Sequence, residues 1–339
     1  MLLPSWNERR RMFIAESWVF VSASYLAVLI GLTFPQHWRA TGEFYVACAT
    51  GACLIRTFLF HLGFILALIA LVSAFSKKWR LFTFTLPLLI VCQGPALLSY
   101  LPKASPPPEG EVVTIMSVNL LGCNQDTDGI LAEVRAFQPD VLALQEYRPH
   151  WHAVFQEALL DEYPYFCCET RTDDFGQALY SRYPFAQPAD MELPLGDAGT
   201  PQTRVVVDFD GRRAAVYNVH FMPPKSVEYA RRQRVEFADL LDKLALEELP
   251  VIVCGDFNFT NESPFADDLS RQGLVDVHRL CGRGRGATWP VLYFYRYLPG
   301  LRLDHIFLNG AFRGVDCDTG IGRGSDHRPL CARVAFQGG

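Results

Sequence analysis

Residues 251–258, VIVCGDFN, run apolar to Gly255 and then present Asp256 and Asn258. Four apolar or small residues bounded by glycine suit a fully buried strand, and at a period of two the Asp and the Asn leave its end on one side. A carboxylate and an amide so placed can hold a hard cation or orient a water. The same residues are ordinary turn formers, so this stretch alone leaves turn chemistry and catalysis open.

The arrangement recurs along the chain. Asn119 closes the apolar run 112–119, Glu146 follows the run 140–144, His220 follows 216–219, and Asp326 with His327 precedes Leu330. One such residue is more often a cap, but polar groups converging at one edge of a sheet are a common way to assemble an active site. Carboxylates and amides without a cysteine or multi-histidine cluster favour Mg²⁺ or Mn²⁺ over zinc. Such an ion can neutralise the oxygens of a phosphoryl group under attack, and two histidines near carboxylates add an acid and a base.

The elements that must position these groups can be read from periodicity. Strands are expected over 112–119, 140–144, 178–181, 203–209, 214–219, 251–254, 303–308 and 330–336, with a hairpin turn at Asp210-Gly211. Residues 131–137 and 226–246 have helical spacing, the first stopped by Pro139 and the second feeding the 251–254 strand. Many strands with few helices indicate a mixed α/β or α+β domain, without internal repeats.

Apolar residues are half of the 339, and they concentrate at the amino terminus. Residues 13–34 and 81–101 each read as a transmembrane helix, and 44–75, carrying Arg56 and His61, as a third, long or tilted one. Arg56 is expected to snorkel to an interface or pack between helices. Arg9, Arg10 and Arg11 precede the first span and Lys77, Lys78 and Arg80 the last, which makes those segments cytoplasmic and everything after residue 101 extracytoplasmic. The expected organisation is thus a three-span anchor over 1–101 in the cell membrane, a semi-rigid Pro-rich linker over 102–110 and a globular domain over 111–339. The part after residue 101 has a net charge of −10 against +5 before it, a poor footprint for nucleic acid. The cysteines match neither a zinc site nor a disulfide framework and are expected to pack.

Seven motifs in order, SVNLL at 117–121, LQEYRP at 144–149, YSRYP at 180–184, NVHF at 218–221, GDFN at 255–258, RLDHIF at 302–307 and SDHRPL at 325–330, resemble the endonuclease/exonuclease/phosphatase superfamily. The resemblance covers essentially the whole globular part. It implies an α/β four-layer sandwich of two packed mixed β-sheets flanked by helices, here preceded by the three transmembrane helices. It also implies roles: Glu146 as principal Mg²⁺ carboxylate beside Asn119, with Asp326 completing the metal side. Asp256 would orient or deprotonate the attacking water, Asn258 would hold that water or a phosphate oxygen, and His327, oriented by Asp304, would touch the scissile phosphate. His220 would be the leaving-group acid or a phosphate donor. Arg182 is a weaker substrate-binding candidate, because an Arg at a strand end is more often a solvated partner for a carboxylate. Residues 282–286, GRGRG, read as a surface connection, with a phosphate-reaching loop as the alternative.

The expected activity is hydrolysis of a phosphodiester, phosphomonoester or pyrophosphate by metal-assisted attack of water. A short stiff linker keeps the site near the bilayer, so a lipid or lipid-linked phosphate is the first expectation for the substrate. An extracytoplasmic nuclease is the alternative, and a noncatalytic binding module is a third reading, opposed by the presence of Glu146, Asp256, His220 and His327 together.

Overall fold

The computed structural model describes residues 6–103, 110–191 and 193–337, so most of the expected 102–110 linker lies outside the described residues. Four helices come first: α1 (Trp6–Thr33), α2 (Glu43–Thr57), α3 (Leu59–Phe75) and α4 (Trp79–Leu98). The globular part follows as β1 (Val112–Asn119), α5 (Thr127–Phe137), β2 (Val141–Gln145), α6 (Pro149–Leu159), β3 (Tyr165–Glu169), β4 (Gln177–Ser181), β5 (Thr203–Phe209), β6 (Arg212–His220) and α7 (Val227–Ala245). It ends with β7 (Val251–Asp256), α8 (Pro264–Arg271), β8 (Val275–Asp276), α9 (Val277–Cys281), a 3₁₀ turn at Tyr293–Tyr297, β9 (Asp304–Leu308), β10 (Phe312–Thr319) and β11 (Leu330–Phe336).

The strands form two mixed sheets, ordered β10-β11-β1-β2-β4-β3 and β5-β6-β7-β9-β8. Each has one parallel pair, β1 with β2 and β6 with β7, and every other pairing is antiparallel. A parallel pair needs a crossover, supplied here by α5 and α7, and it brings two carboxyl ends to one edge. Between the sheets lie Ile115, Val141, Ala143, Val216, Ile252, Cys254, Ile306 and Val334. The alternate residues face outward, where Val253 and Phe307 meet Phe237 and Leu240 of α7, and Leu142 and Leu144 meet Val134, Trp151 and Phe155 of α5 and α6. The result is the expected α/β sandwich of two sheets between helices. The β5–β6 hairpin turns at Asp210 and Gly211, both at positive φ (50° and 94°), as a primed turn requires.

The helical region departs from expectation. Residues 44–75 form two helices, α2 and α3, bent by 57° at a break, and Phe58 is the residue between them. The helices long and apolar enough to cross a bilayer singly are Arg11–Thr33 and Trp79–Leu98. The side chain of Arg56 lies against Gly31 of α1, and its Nη1 makes a 2.7 Å ion pair with Asp267 of α8. A continuous apolar run shows that a segment is greasy but carries no information on its direction. The break follows from where α2 docks. Trp38, just before α2, packs its ring 4.8 Å from Phe237 and 4.4 Å from Phe265, and its Nε1 donates to Asp268 at 2.6 Å. Arg39 pairs with Asp239 and Asp242 of α7, and buried Arg234 donates to Gln36 and to the His37 carbonyl. The α2 segment is fastened to α7 and α8 rather than continuing the line of α3.

Candidate active site

The two parallel pairs end at the same edge. Asn119 is in register with Gln145, His220 with Asp256, and β9 begins with Asp304 opposite Asp256. Alternation then decides direction: Ile252, Cys254 and Ile306 fill the space between the sheets, so Asp256 and Asp304 point there too. The cleft is the polar end of the inter-sheet core.

Several backbone features hold it. Gly255 has φ 142°, and a Cβ there would lie 1.9 Å from the Val219 carbonyl oxygen, so only glycine lets β7 run this close to β6. Glu146 has φ 55° and Asn258 φ 51°, a left-handed conformation that costs roughly 1–3 kcal/mol outside glycine and persists where the surroundings impose it. The surroundings do: Gly122 N–H donates to Glu146 Oε2 at 2.7 Å and Asn119 Nδ2 to Oε1 at 3.1 Å. The Asn258 amide N–H donates to Asp256 Oδ1 at 3.0 Å, and its side-chain Nδ2 to the Phe221 carbonyl at 2.9 Å.

Asn119 links the two halves. Its Nδ2 also donates to Asp256 Oδ2 at 3.0 Å, bridging Glu146 and Asp256, while its Oδ1 accepts from the Leu121 N–H. It stands beside Glu146, as expected. His327 Nδ1 lies 2.8 Å from Asp304 Oδ2, the expected His-carboxylate pair, and its Nε2 is 3.8 Å from Asp256 Oδ2. His220 Nε2 is 3.6 Å from the same oxygen, and its Nδ1 is buried without a partner among the described residues. Asp326 accepts from Trp289 Nε1 at 3.0 Å. Arg182 is the exception: Ser181 pairs with Val141 at the opposite end of β2, and Arg182 reaches toward Asp140 and Glu162 there, stacked over Tyr163. It is a partner of carboxylates at the far edge, away from the cleft.

The charges in the cleft act on one another. Burial raises the Asp256 pKa above the usual carboxylate range, with His327 and His220 opposing it. For His327, burial alone would lower the value, but Asp304 and Asp256 outweigh it and push it up to about 10. Its ring is then an imidazolium at neutral pH, a donor suited to an anionic oxygen.

A layer of buried amides beneath these residues carries no signal in the strand periodicity. Gln145 Nε2 donates to Asn218 Oδ1 at 2.7 Å, and Asn218 Nδ2 donates to the carbonyls of Leu144 and Ala178, joining one sheet to the other. Gln202 grips the main chain of His220 from both sides, accepting from its N–H at 2.8 Å and donating to its carbonyl at 3.0 Å. The only hint in the sequence is an amide interrupting an apolar strand, as Asn218 does.

Above the carboxylates opens a cavity of about 490 Å³, lined by Glu146, His220, Asp256, Asn258, Asp326 and His327. Its far lining is α2 and the break after it: Thr50, Cys53, Leu54, Thr57 and Phe58, with Phe259, Phe265, Leu301 and Leu303 between. As for a metal, buried Asp304 Oδ1 and Asp326 Oδ1 have no hydrogen-bond partner among the described residues. Among those residues the cluster of His, Cys, Asp and Glu side chains able to share an ion is Asp256, Asp304 and His327, with ligand atoms within 4.8 Å of one another. Orphaned carboxylate oxygens at the floor of a cleft fit a hard divalent cation.

Residues 116–327 match the endonuclease/exonuclease/phosphatase family, well over half the chain. The chain belongs to that family. Enzymes of the family hydrolyse phosphoester bonds and are in general dependent on divalent metal. Its sandwich is similar to a family member from Beutenbergia cavernae (TM-score 0.57, 20% identity, 67% of this chain and 72% of that one). It is also similar to D. rerio TDP2 complexed with a single-strand DNA product (0.56, 19%, 67% and 100%) and to the Neisseria 3′ phosphatase NExo bound to a product DNA hairpin (0.53, 19%, 67% and 100%). At these identities the likeness is one of fold. No curated protein matches by sequence.

Proposed function

We propose that the chain is a membrane-anchored, Mg²⁺-dependent phosphoesterase acting on a lipid-linked phosphoester or pyrophosphate outside the cytoplasm. The observation that carries the substrate class is the shared cavity: catalytic carboxylates form one wall and α2 of the helical region forms another. A phosphate held at Asp256 and His327 leaves the rest of the molecule to run past Thr50, Leu54 and Phe58 toward the spans, in a cavity whose charged lining residues besides those of the site are Asp174, Lys225 and Arg234. A polynucleotide would need a basic groove with stacking aromatics instead.

In this reading 1–101 is the anchor and 111–339 the catalytic domain. Spans α1, α3 and α4 cross the bilayer, α3 being about 25 Å long at 1.5 Å per residue, and α2 rests against the catalytic domain at the outer surface. The linker and the basic residues flanking α1 and between α3 and α4 fit that topology.

The metal would be held by Glu146 with the unpartnered oxygens of Asp326 and Asp304; once bound it would neutralise charge on the phosphoryl oxygens. Asp256, pinned by Asn119 and the Asn258 N–H, accepts a proton from water as the water oxygen bonds to phosphorus. The bond to the leaving oxygen breaks in line, with His220 delivering a proton to it. His327, fixed by Asp304, donates to a non-bridging oxygen, and Asn258 steadies the water or a second oxygen.

The test uses the full chain in detergent with Mg²⁺, comparing a polyprenyl pyrophosphate, a soluble phosphodiester and single-stranded DNA. Glu146→Ala should abolish metal-dependent turnover of all that are cleaved. Thr50→Trp, which fills the α2 wall, should cut turnover of the lipid-linked compound at least ~10-fold while sparing the soluble ester, since only the former uses remote binding energy there. Cleavage of DNA in preference to both, insensitive to Thr50→Trp, would establish the nuclease reading in its place.

A further inference from the structure

A second cavity, also about 490 Å³, shares the Trp289 side chain with the catalytic cleft. Among the described residues its wall carries four arginines, Arg283, Arg285, Arg296 and Arg328, and no Asp or Glu. The part of the chain after residue 101 has a net charge of −10, so this concentration of positive charge runs against its surroundings. Like charges converging on one space repel unless an anion enters it.

None of the four makes an ion pair with an Asp or Glu among the described residues, and Glu262 acts on Arg285 only at longer range. Arg285 Nη1 donates to the Gly300 carbonyl at 2.9 Å, and its guanidinium lies 3.8 Å from the centre of the Phe60 ring. Burial there lowers its pKa, an effect that an anion beside it would oppose. Arg296 Nε donates to the Val291 carbonyl at 3.2 Å, and Arg328 Nε is buried with no partner among the described residues. Arg283 and Arg296 are exposed at the rim.

The glycines of GRGRG explain how the arginines are presented. Gly282 and Gly286 pass against the ring of His278, where a Cβ on either would come within 2.3 Å of it. Gly284, at φ 70°, turns between them and donates its N–H to the Ser99 carbonyl at 2.9 Å. The loop is thus folded tightly onto its own domain and tied to the end of α4.

The cavity also lies where the spans emerge. Phe60 at the start of α3 and Tyr100 just after α4 line it, and His61 Nε2 meets the Pro299 carbonyl at 2.8 Å. Beside it the 3₁₀ turn exposes Tyr293 by 81% and Tyr297 by 83%. Exposed aromatics next to arginines are what the headgroup level of a bilayer accommodates.

We propose that this pocket is a second anion site, distinct from the catalytic cleft, that takes a phosphate group from an anionic phospholipid headgroup at the outer surface. Guanidinium forks match phosphate oxygens in pairs, which favours phosphate over carboxylate. The lipid as source rests on the bilayer placement of α3 and α4, but not on the catalytic roles.

The test reads binding rather than hydrolysis, so it can fail independently of the catalytic proposal. Dihexanoyl phosphatidylglycerol, dihexanoyl phosphatidylcholine and inorganic pyrophosphate are titrated calorimetrically into the detergent-solubilised full chain and into an Arg283→Gln/Arg296→Gln variant. Each basic side chain near a charged headgroup is worth roughly a five-fold change in affinity, so the variant should bind phosphatidylglycerol about 25-fold more weakly. Phosphatidylcholine should bind the wild type more weakly than phosphatidylglycerol, and soluble-ester hydrolysis by the variant should be unchanged. Tighter binding of pyrophosphate than of phosphatidylglycerol, lost in the variant, would overturn the lipid as source and assign the pocket to a soluble phosphate. Equal affinities of wild type and variant for both anions would overturn the anion site itself.

Discussion

Strand β9 opens with Asp304 and His305, and each belongs to a hydrogen-bonded Asp–His pair. Asp304 meets His327 at 2.8 Å, and His305 Nδ1 meets Asp276 at 2.6 Å. Both pairs are buried. They differ in what closes them. Around Asp276 the circle is complete: Arg302 Nη1 donates to both carboxylate oxygens at 2.6 Å, and His305 Nε2 meets the Phe259 carbonyl at 3.0 Å. Burial alone would raise the Asp276 pKa, but Arg302 and His305 outweigh it and hold it well below the usual range. Around Asp304 the circle is open, since Oδ1 has no partner among the described residues and His327 borders the cavity. An Asp–His pair is thus not a site by composition. Unspent hydrogen-bonding capacity facing a cavity distinguishes the pair that can act on a ligand from the pair that holds the fold.

The largest effect expected from this contrast is on turnover. His327→Ala should lower kcat on a soluble phosphodiester about 10³-fold or more, within the range for loss of a positioned donor, with little change in Tm. His305→Ala should lower Tm and leave kcat per folded molecule within a few-fold. Steady-state rates normalised to the folded fraction check both. Loss of kcat in His305→Ala at unchanged Tm would erase the distinction.

Next in size is the stability of the closed pair. Asp276→Ala would strand the Arg302 guanidinium, a His305 nitrogen and the first turn of α9, where Asp276 accepts from the Arg279 N–H. Breaking a buried ion pair from one side costs about 3–5 kcal/mol. Denaturant unfolding should show a loss of that order for Asp276→Ala and a much smaller one for Asp304→Asn, which keeps the shape of its side chain. Similar losses in the two variants would mean that the catalytic pair is also a fold-holding one.

The same two pairs show how much the sequence carries. The runs 112–119, 203–209 and 330–336 coincide with β1, β5 and β11 because each is apolar and ends in a clear break. RLDHIF even holds the direction of its two polar residues, since with Ile306 facing the inter-sheet core alternation sends Asp304 inward and His305 outward. What alternation does not hold is the partner. Asp276 lies 29 residues from His305, and Asn218 73 from Gln145, so neither contact leaves a local trace. Edge strand β10 is polar enough to read as loop. The α2–α3 break is hidden because the run stays apolar through Phe58, and only Arg56 hints that one side of α2 meets a carboxylate.

A third buried carboxylate sharpens the comparison with the smallest and most conditional effect. Glu236 on α7 is fully buried like Asp276, but its oxygens accept from neutral donors, Thr200 Oγ1 at 3.1 Å and the Met222 N–H at 2.9 Å. Without a guanidinium against it, burial prevails and raises its pKa from 4.5 to about 7. A carboxyl whose pKa is higher folded than unfolded holds more protons in the folded state between those two values. Its contribution to stability is therefore fully present below about pH 4.5 and is lost as pH rises through about 7. The penalty for the ionised form is on the order of 3 kcal/mol at and above neutral pH. Glu236→Gln removes the ionisation while keeping an oxygen for the Met222 N–H and an amide for Thr200. Thermal unfolding of the full chain should show the variant equal to wild type near pH 4.5 and more stable by a few degrees at pH 8. A variant less stable than wild type at pH 8 would mean that Glu236 is held charged like Asp276, and that the difference between the two acids does not lie in their cations.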